Sequence, residues 1–313
     1  MKIDAIKNVT VIGAGLMGHG IAQLYALAGY SVRLMDTSKE TLVSAEPKIK
    51  SSLSTLKQKG LVTDEEITAC MGRISLFTDL ADAVIDADLV VEAVPEVIEI
   101  KEVVYKKLHE CCKPETIFAT NTSGLDVFGL IDESRAPYLI ATHFFAPAQI
   151  IPLVEVCPGP ETRKDVVEIT EGLLKKIGKR PVVMKQYVPS FIVNRIQNYI
   201  SMAVFEMLNN NWATPEEIDL AVKTSLGIRL PIVGVVQSLD FTGLDLVNDI
   251  MKSNGMSMPF IEEKVEKGHL GAKTSKGFYD YDKRSEQEIV EKRDLQYLKM
   301  VEYLDEIEAY ESI

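Results

Sequence analysis

In this 313-residue chain, four side chains able to move or steer a proton stand in apolar surroundings: His143, Glu155, Ser123 and Asn194. His143 closes an apolar run in Thr142-His143-Phe144-Phe145-Ala146-Pro147. An imidazole titrates near neutrality, so it can take a hydroxyl proton as hydride leaves the same carbon, and return it in the reverse direction. A histidine beside aromatics can also be a satisfied core residue, and Glu155 is what favours chemistry. It interrupts Ile151-Pro152-Leu153-Val154-Glu155-Val156, where an unpaired buried carboxylate would be costly. Across a turn bearing Pro147 and Pro152 it can fold back onto the imidazole, fix its tautomer and stabilise the imidazolium. A solvent-facing strand glutamate is the other reading the alternation permits. Ser123, in Asn121-Thr122-Ser123-Gly124-Leu125, and Asn194, in Phe191-Ile192-Val193-Asn194-Arg195, add polar groups; each alone also fits an ordinary turn or helix residue.

A partner for the hydride is written near the start of the chain. Gly13-Ala14-Gly15-Leu16-Met17-Gly18 follows the apolar run Val9 to Ile12 and opens a helix containing Ile21, Leu24 and Tyr25. Gly13 permits the tight turn, Gly15 lets backbone approach a pyrophosphate, and Gly18 allows close helix packing, with the helix N-terminus facing the phosphate charge. Asp36 stands at the end of the next apolar run, where a carboxylate accepts from ribose hydroxyls and repels a 2′-phosphate. NAD is therefore the expected cofactor. His19, in the same helix start, reads as packing or solvated.

The elements that must position these groups follow from periodicity. Strands are expected at Val9 to Ile12, Ser31 to Met35, Leu89 to Ala93, Thr116 to Thr120, Leu139 to Thr142 and Leu153 to Val156. Helical patterns separate them, including one opened by a Thr63/Glu66 capping box and one over Lys101 to Cys111. This alternation predicts an α/β fold, a Rossmann-type doubly wound parallel sheet, over residues 1 to 186. From about Lys185 to Pro189 the pattern turns helical, so an all-helical domain is expected over 187 to 313. There Ile192, Ile196, Tyr199, Ala203 and Met207 share one helix face, and Thr214, Pro215 and Glu217 start the next helix. A broad apolar face of this kind suits a homodimer. Beyond Lys283, Leu295, Leu298, Val301 and Leu304 mark an amphipathic tail helix.

Composition narrows the setting. A net charge of −12 argues against a nucleic-acid partner, although Lys48, Lys50, Lys57 and Lys59 gather in one stretch that reads as a solvated helix face or a meeting point for an anionic ligand. Cys70, Cys111, Cys112 and Cys157 show no metal-binding spacing, so no metal and a reducing, cytoplasmic setting are expected. No signal region and no run of membrane-spanning length is apparent, so no membrane role is expected.

Taken together, the motifs resemble the L-3-hydroxyacyl-CoA dehydrogenase family, including its short-chain 3-hydroxybutyryl-CoA members, over residues 8 to 282. The resemblance rests on the glycine loop, Val91-Glu92-Ala93-Val94-Pro95-Glu96, Asn121-Thr122-Ser123, His143-Phe144-Phe145, Leu153-Val154-Glu155-Val156, Phe191-Ile192-Val193-Asn194-Arg195, and Lys273-Thr274 before Gly277-Phe278-Tyr279. It implies an acyl-CoA substrate, His143 as acid/base, Glu155 as its orienting partner, and substrate contacts from Ser123 and Asn194. It further implies NAD contacts from Asp36, Glu96, Lys101, Ser123 and Lys273, coenzyme A contacts from Ser52 and Lys59, and a dimer through the helical domain. Four positions depart from the family pattern: Ala146 for an asparagine, Gly124 for a second serine, Ser190 for a glycine, and Gly234-Val235-Val236-Gln237 for a Gly-Pro-x-Glu segment. Ile150-Ile151-Pro152-Leu153-Val154-Glu155 also looks like relatives acting on free hydroxy acids, such as L-gulonate or carnitine dehydrogenases. A non-catalytic nucleotide-binding protein is a third possibility, and it predicts a broken catalytic set.

Overall fold

The computed structural model describes residues 2–311; Met1, Ser312 and Ile313 lie outside the described residues. The chain divides into two compact units, one through Tyr199 and one from Ile200.

The first unit is built on β1 (Asn8–Ile12), α1 (Gly18–Leu27), β2 (Ser31–Met35), α2 (Lys39–Gln58), α3 (Asp64–Gly72), β3 (Ile74–Phe77), α4 (Leu80–Val84), β4 (Leu89–Glu92), α5 (Ile98–Cys111), β5 (Ile117–Thr120), β6 (Leu139–Phe144), β7 (Leu153–Pro158), α6 (Lys164–Lys176) and β8 (Arg180–Val183). The strands form one sheet in the order β3-β2-β1-β4-β5-β6-β7-β8. Strands β4, β5 and β6 are buried at every position, because helices cover both faces, and their sequences are accordingly near-continuous apolar runs.

One pair of neighbouring strands departs from the parallel arrangement of the rest. β6 and β7 pair antiparallel, since residues 145–152 are too few for a crossover and can only turn the chain back. That pairing also carries β6 on to Phe144, so His143 lies within the strand. Two strands escape the sequence reading: β3 is a partly exposed edge strand, and β8, on the opposite edge, contains Pro181, whose missing N–H such an edge tolerates.

Helix α7 (Val193–Asn209) runs across the division between the units. The second unit continues with α8 (Pro215–Ala221), α9 (Gly227–Thr242), α10 (Leu244–Ser253), α11 (Pro259–Glu266) and α12 (Glu286–Glu306). The Thr63/Glu66 and Thr214/Glu217 capping boxes both form, and Ser285 with Glu288 caps the tail helix in the same way. Helix α9 breaks at Gly234, with φ 68° and ψ 178°, within the segment that departs from the family pattern. No single helix among the described residues is long and apolar enough to cross a membrane, although α8 to α9 with α10, bent by 79°, passes on length and composition together.

Candidate active site

His143 and Glu155 are directly opposite each other in the β6–β7 ladder, so their side chains emerge on one face of the sheet. Nδ1 of His143 lies 2.9 Å from Oε2 of Glu155, and the two residues are 5% and 1% exposed. The solvent-facing reading of Glu155 therefore fails. With Glu155 ionised and Nδ1 donating to it, Nε2 carries the lone pair of the neutral ring and has no partner among the described residues. Phe145 and Phe191 flank the imidazole at ring-centroid distances of 4.4 and 5.5 Å.

The other carboxylate oxygen of Glu155 accepts two backbone amides, Ile192 N–H and Val193 N–H, each at 2.9 Å. Burial pushes the Glu155 carboxyl up, but the His143 hydrogen bond, these amides and the His143 charge outweigh it and hold the carboxyl below its ordinary 4.5. The amides are aimed by a turn in which Ser190 and Phe191 both take the left-handed conformation, at φ 65° and 50°. Consecutive non-glycine residues there are strained, and such a turn exposes successive N–H groups to an anion. The same turn crowds Gly124: a Cβ on Gly124 would come to 3.0 Å from the Cα and N of residue 190. These two departures from the family pattern thus sit in contact, through the backbone of residue 190 rather than its hydroxyl, which would stand at an ordinary 3.7 Å.

Ser123 belongs to the loop after β5, which is tied from two sides. The Asn194 amide donates to the Ser123 carbonyl at 3.1 Å, and Glu96 accepts from the Thr122 hydroxyl at 2.6 Å and the Ser123 amide at 2.7 Å. Glu96 in turn meets Lys101 at 3.3 Å. Burial raises the Glu96 carboxyl, but Thr122, Lys101 and the Ser123 amide together bring it below the usual range. Lys101 is fully buried against Glu92, which also receives the Tyr105 hydroxyl at 3.0 Å and the Thr120 hydroxyl at 2.7 Å. Sequence reasoning overlooked this Glu92 hub. Its signal was akin to the one that marked Glu155, an acid in a buried apolar strand, here at its last position and with Lys101 one turn into the following helix. Asn121 was likewise quoted only as part of a motif; its Oδ1 accepts from the Phe144 amide at 2.8 Å and fixes the end of β6 beside His143.

The glycine loop turns between β1 and α1. Its first amide, Gly13 N–H, reaches the Met35 carbonyl at 2.7 Å, and a Cβ on Gly18 would overlap the Gly13 carbonyl. A Cβ on Gly15 would project into open space beside the loop, and Leu16 is 75% exposed, whereas Met17 packs against the core. At the end of β2, Asp36 is oriented by the Ala14 and Ser38 amides, both at 2.9 Å. An open cradle of backbone at a helix N-terminus with a fixed acid beside it fits a dinucleotide. His19 is turned back on the loop, its Nδ1 at 2.6 Å from the Gly15 carbonyl.

Ser52 lies on α2 and lines a groove of about 470 Å³ with Pro47, Lys48, Ser51 and Thr55; Gln149 and Ile150 form its other wall. Lys59 caps the C-terminal end of α2, two turns from Ser52 and exposed. Lys50 and Lys57 of the same stretch are paired with Glu46 and Asp64. Lys273 belongs to the second unit, in an ion pair with Asp245. All four cysteines are free thiols, and no group of three or more metal-ligating side chains occurs among the described residues.

A doubly wound sheet with this loop, this acid and a buried His–Glu pair at its edge is the scaffold of a dinucleotide-dependent oxidoreductase. Residues 8–187 match the family described as 3-hydroxyacyl-CoA dehydrogenase, NAD binding domain, and residues 191–281 match 3-hydroxyacyl-CoA dehydrogenase, C-terminal domain. The chain belongs to the 3-hydroxyacyl-CoA dehydrogenase family, and its cofactor is NAD. The 3-hydroxybutyryl-CoA dehydrogenase of Bradyrhizobium diazoefficiens is 36% identical over 285 residues, 88% of this chain and 96% of its own. The crystal structure of the 3-hydroxyacyl-CoA dehydrogenase of Archaeoglobus fulgidus superposes with a TM-score of 0.79 at 27% identity, covering 96% of this chain and 99% of its own. That of 5-formyl-3-hydroxy-2-methylpyridine 4-carboxylic acid 5-dehydrogenase, an NAD+-dependent dismutase, gives 0.73 at 28% identity, with coverages of 96% and 99%.

Proposed function

We propose that this NAD-dependent dehydrogenase interconverts a 3-hydroxyacyl and a 3-ketoacyl group carried as a short-chain coenzyme A thioester, with His143 as its acid/base. The observation that carries the reading is the buried His143–Glu155 pair, with Nε2 left open. NAD, when bound, accepts hydride from the alcohol carbon or, reduced, returns it. In the oxidising direction the substrate hydroxyl gives its proton to Nε2 as the carbon–oxygen double bond forms. Glu155 then faces an imidazolium at 2.9 Å and stabilises it without taking the proton. In reduction the imidazolium hands the same proton back. Ser123 and Asn194 hold the substrate oxygen and acyl group.

The same reading assigns the cofactor to Gly13, Gly15, Leu16, Met17, Gly18, Asp36, Glu96, Lys101, Ser123 and Lys273. Lys101, enclosed by two carboxylates, acts on the cofactor through Glu96. Ser52 and Lys59 take the coenzyme A portion along α2. The first domain, to residue 186, binds NAD, and the helical one from 187 on serves substrate binding and dimerisation. Tyr199, Met202 and Phe205 of α7, 64–66% exposed, support a second copy of this chain as partner. A cytoplasmic location and a role in fatty acid metabolism complete the proposal, supported by the free thiols and the substrate class.

A second reading, turnover of a free hydroxy acid, is favoured by one observation. The dehydrogenase named for a pyridine carboxylic acid, not for a thioester, covers 96% of this chain, the same share as the 3-hydroxyacyl-CoA dehydrogenase of Archaeoglobus fulgidus. The two readings separate on NADH oxidation by the purified protein with acetoacetyl-CoA, free acetoacetate and 3-dehydrocarnitine. Turnover of the thioester alone is expected; turnover of a free acid alone overturns the coenzyme A assignment.

A further inference from the structure

The connection between β6 and β7, residues 145–152, begins two residues after His143 and supplies one wall of the groove that holds Ser52. To that groove it presents Gln149, half-buried, and Ile150, 59% exposed; Ala148 is buried. The segment makes little structure of its own: the Ile150 and Ile151 amides both reach the Pro147 carbonyl at 3.0 Å. On one side it rests on α1, where a Cβ on Gly20 would come within 2.4 Å of the Gln149 Oε1 and 3.3 Å of the Ala148 Cβ.

On the other side stands Lys179, between α6 and β8. It is 6% exposed, has no carboxylate partner among the described residues, and donates from Nζ to the Ala148 carbonyl at 2.5 Å and the Ile151 carbonyl at 2.8 Å. Next to it the Arg180 amide donates to the Pro152 carbonyl at 2.8 Å. An ammonium without a counter-ion is a costly thing to bury, and a methionine would fill the same space without that cost. What a methionine lacks is the pair of donors that holds two carbonyls, three residues apart, at one point.

We propose that Lys179 is a positioning residue: it clamps the 147–151 segment against α1 so that Gln149 and Ile150 form a fixed wall for the part of the substrate lying along α2. The inference rests on the reading that a thioester occupies that groove. It predicts a substrate-selective defect. In K179M the KM for acetoacetyl-CoA rises about tenfold, with the KM for NADH unchanged and kcat within about twofold. The KM for acetoacetyl-N-acetylcysteamine, which keeps the thioester and drops the nucleotide portion, stays as in the wild type. K179R, which keeps the donors, restores the KM for acetoacetyl-CoA.

Hydrogen exchange on the whole protein tests the clamp without any substrate. The Ile150 and Ile151 amides should exchange at least tenfold faster in K179M and return towards wild type in K179R. Equal losses with both thioesters, or unchanged exchange at these amides, overturn the proposal. G20A presses on the segment from the α1 side and should raise the same KM, which keeps the question decidable if K179M does not fold. If the wild type turns over neither thioester, the functional reading has failed, and exchange alone still decides whether Lys179 holds the loop.

Discussion

Nδ1 of His143 and Oε2 of Glu155 stand 2.9 Å apart on directly opposed residues of an antiparallel pair, so the backbone ladder itself sets their separation. An imidazole held this way needs no loop to bring it into place. His143→Gln keeps the ring's volume roughly and removes its proton chemistry. The variant should lose at least about 10³-fold in kcat while NADH fluorescence titration gives a near-normal Kd. Retained turnover would take the acid/base role from His143.

Glu155→Gln leaves an acceptor for Nδ1–H but no negative charge to balance the imidazolium. A fall in kcat of about 10²-fold is expected, with a smaller change in KM. The pair also has a signature in stability. The Glu155 carboxyl is held below its ordinary 4.5 in the folded protein, so its contribution is fully present above that pH and disappears as pH falls through the folded value. Thermal unfolding between pH 3 and 5 should show a shallower acid loss in the glutamine variant than in the wild type. Parallel curves would mean that Glu155 is not the group being titrated.

Lys179 provides the opposite case at alkaline pH. Burial pushes its ammonium down to about 8 from 10.5. Between those two values the unfolded chain holds a proton that the folded chain has released, so stability rises with pH across that window. The melting temperature of the wild type should therefore rise relative to that of K179M from pH 8 to 10.5. A constant difference would place the titration elsewhere.

Gly124 and Ser190 should behave as a coupled pair. Ser190→Gly relieves a residue at φ 65° and is expected to stabilise the protein by about 1 kcal/mol. Gly124→Ser crowds the Ser190 backbone and should cost about 1–3 kcal/mol. In the double variant part of that cost should vanish, because a glycine at 190 can yield. Strict additivity in a double-mutant cycle would show that the contact carries no energy.

Asp36→Ala removes the acid that the proposed cofactor site sets against a 2′-phosphate. The ratio of kcat/KM for NAD over NADP should drop by on the order of tenfold or more. If the ratio holds, discrimination lies in another residue.

The sequence revealed the parts that depend on pattern and order. The strand, glycine loop, helix and Asp36 stood in register along the chain, and Glu155 advertised its partner by being an acid in an apolar run. What it hid depends on geometry between distant segments. The amides of Ile192 and Val193 have no side-chain signature, yet they cap Glu155 from 37 and 38 residues away. Lys179 looked like any basic residue at the end of a helix, and only its enclosure distinguishes it. The fold-back of Glu155 across Pro147 and Pro152 was legible, but the register that sets it directly opposite His143 was not, because apolar alternation does not say which residues pair.

The ladder that fixes the His–Glu pair also separates what this scaffold can change from what it cannot. A shift of one residue in the pairing of β7 with β6 would send Glu155 to the opposite face of the sheet and disarm the base. The side chains of the turn between the two strands are under no such rule: Gln149 and Ile150 can be exchanged while the backbone, held at the 148 and 151 carbonyls by Lys179, keeps its length and the ladder stays in step. On the proposed roles, reaction and substrate are written on separate stretches of one hairpin, and new specificities can be tried in 145–152 without re-evolving the chemistry.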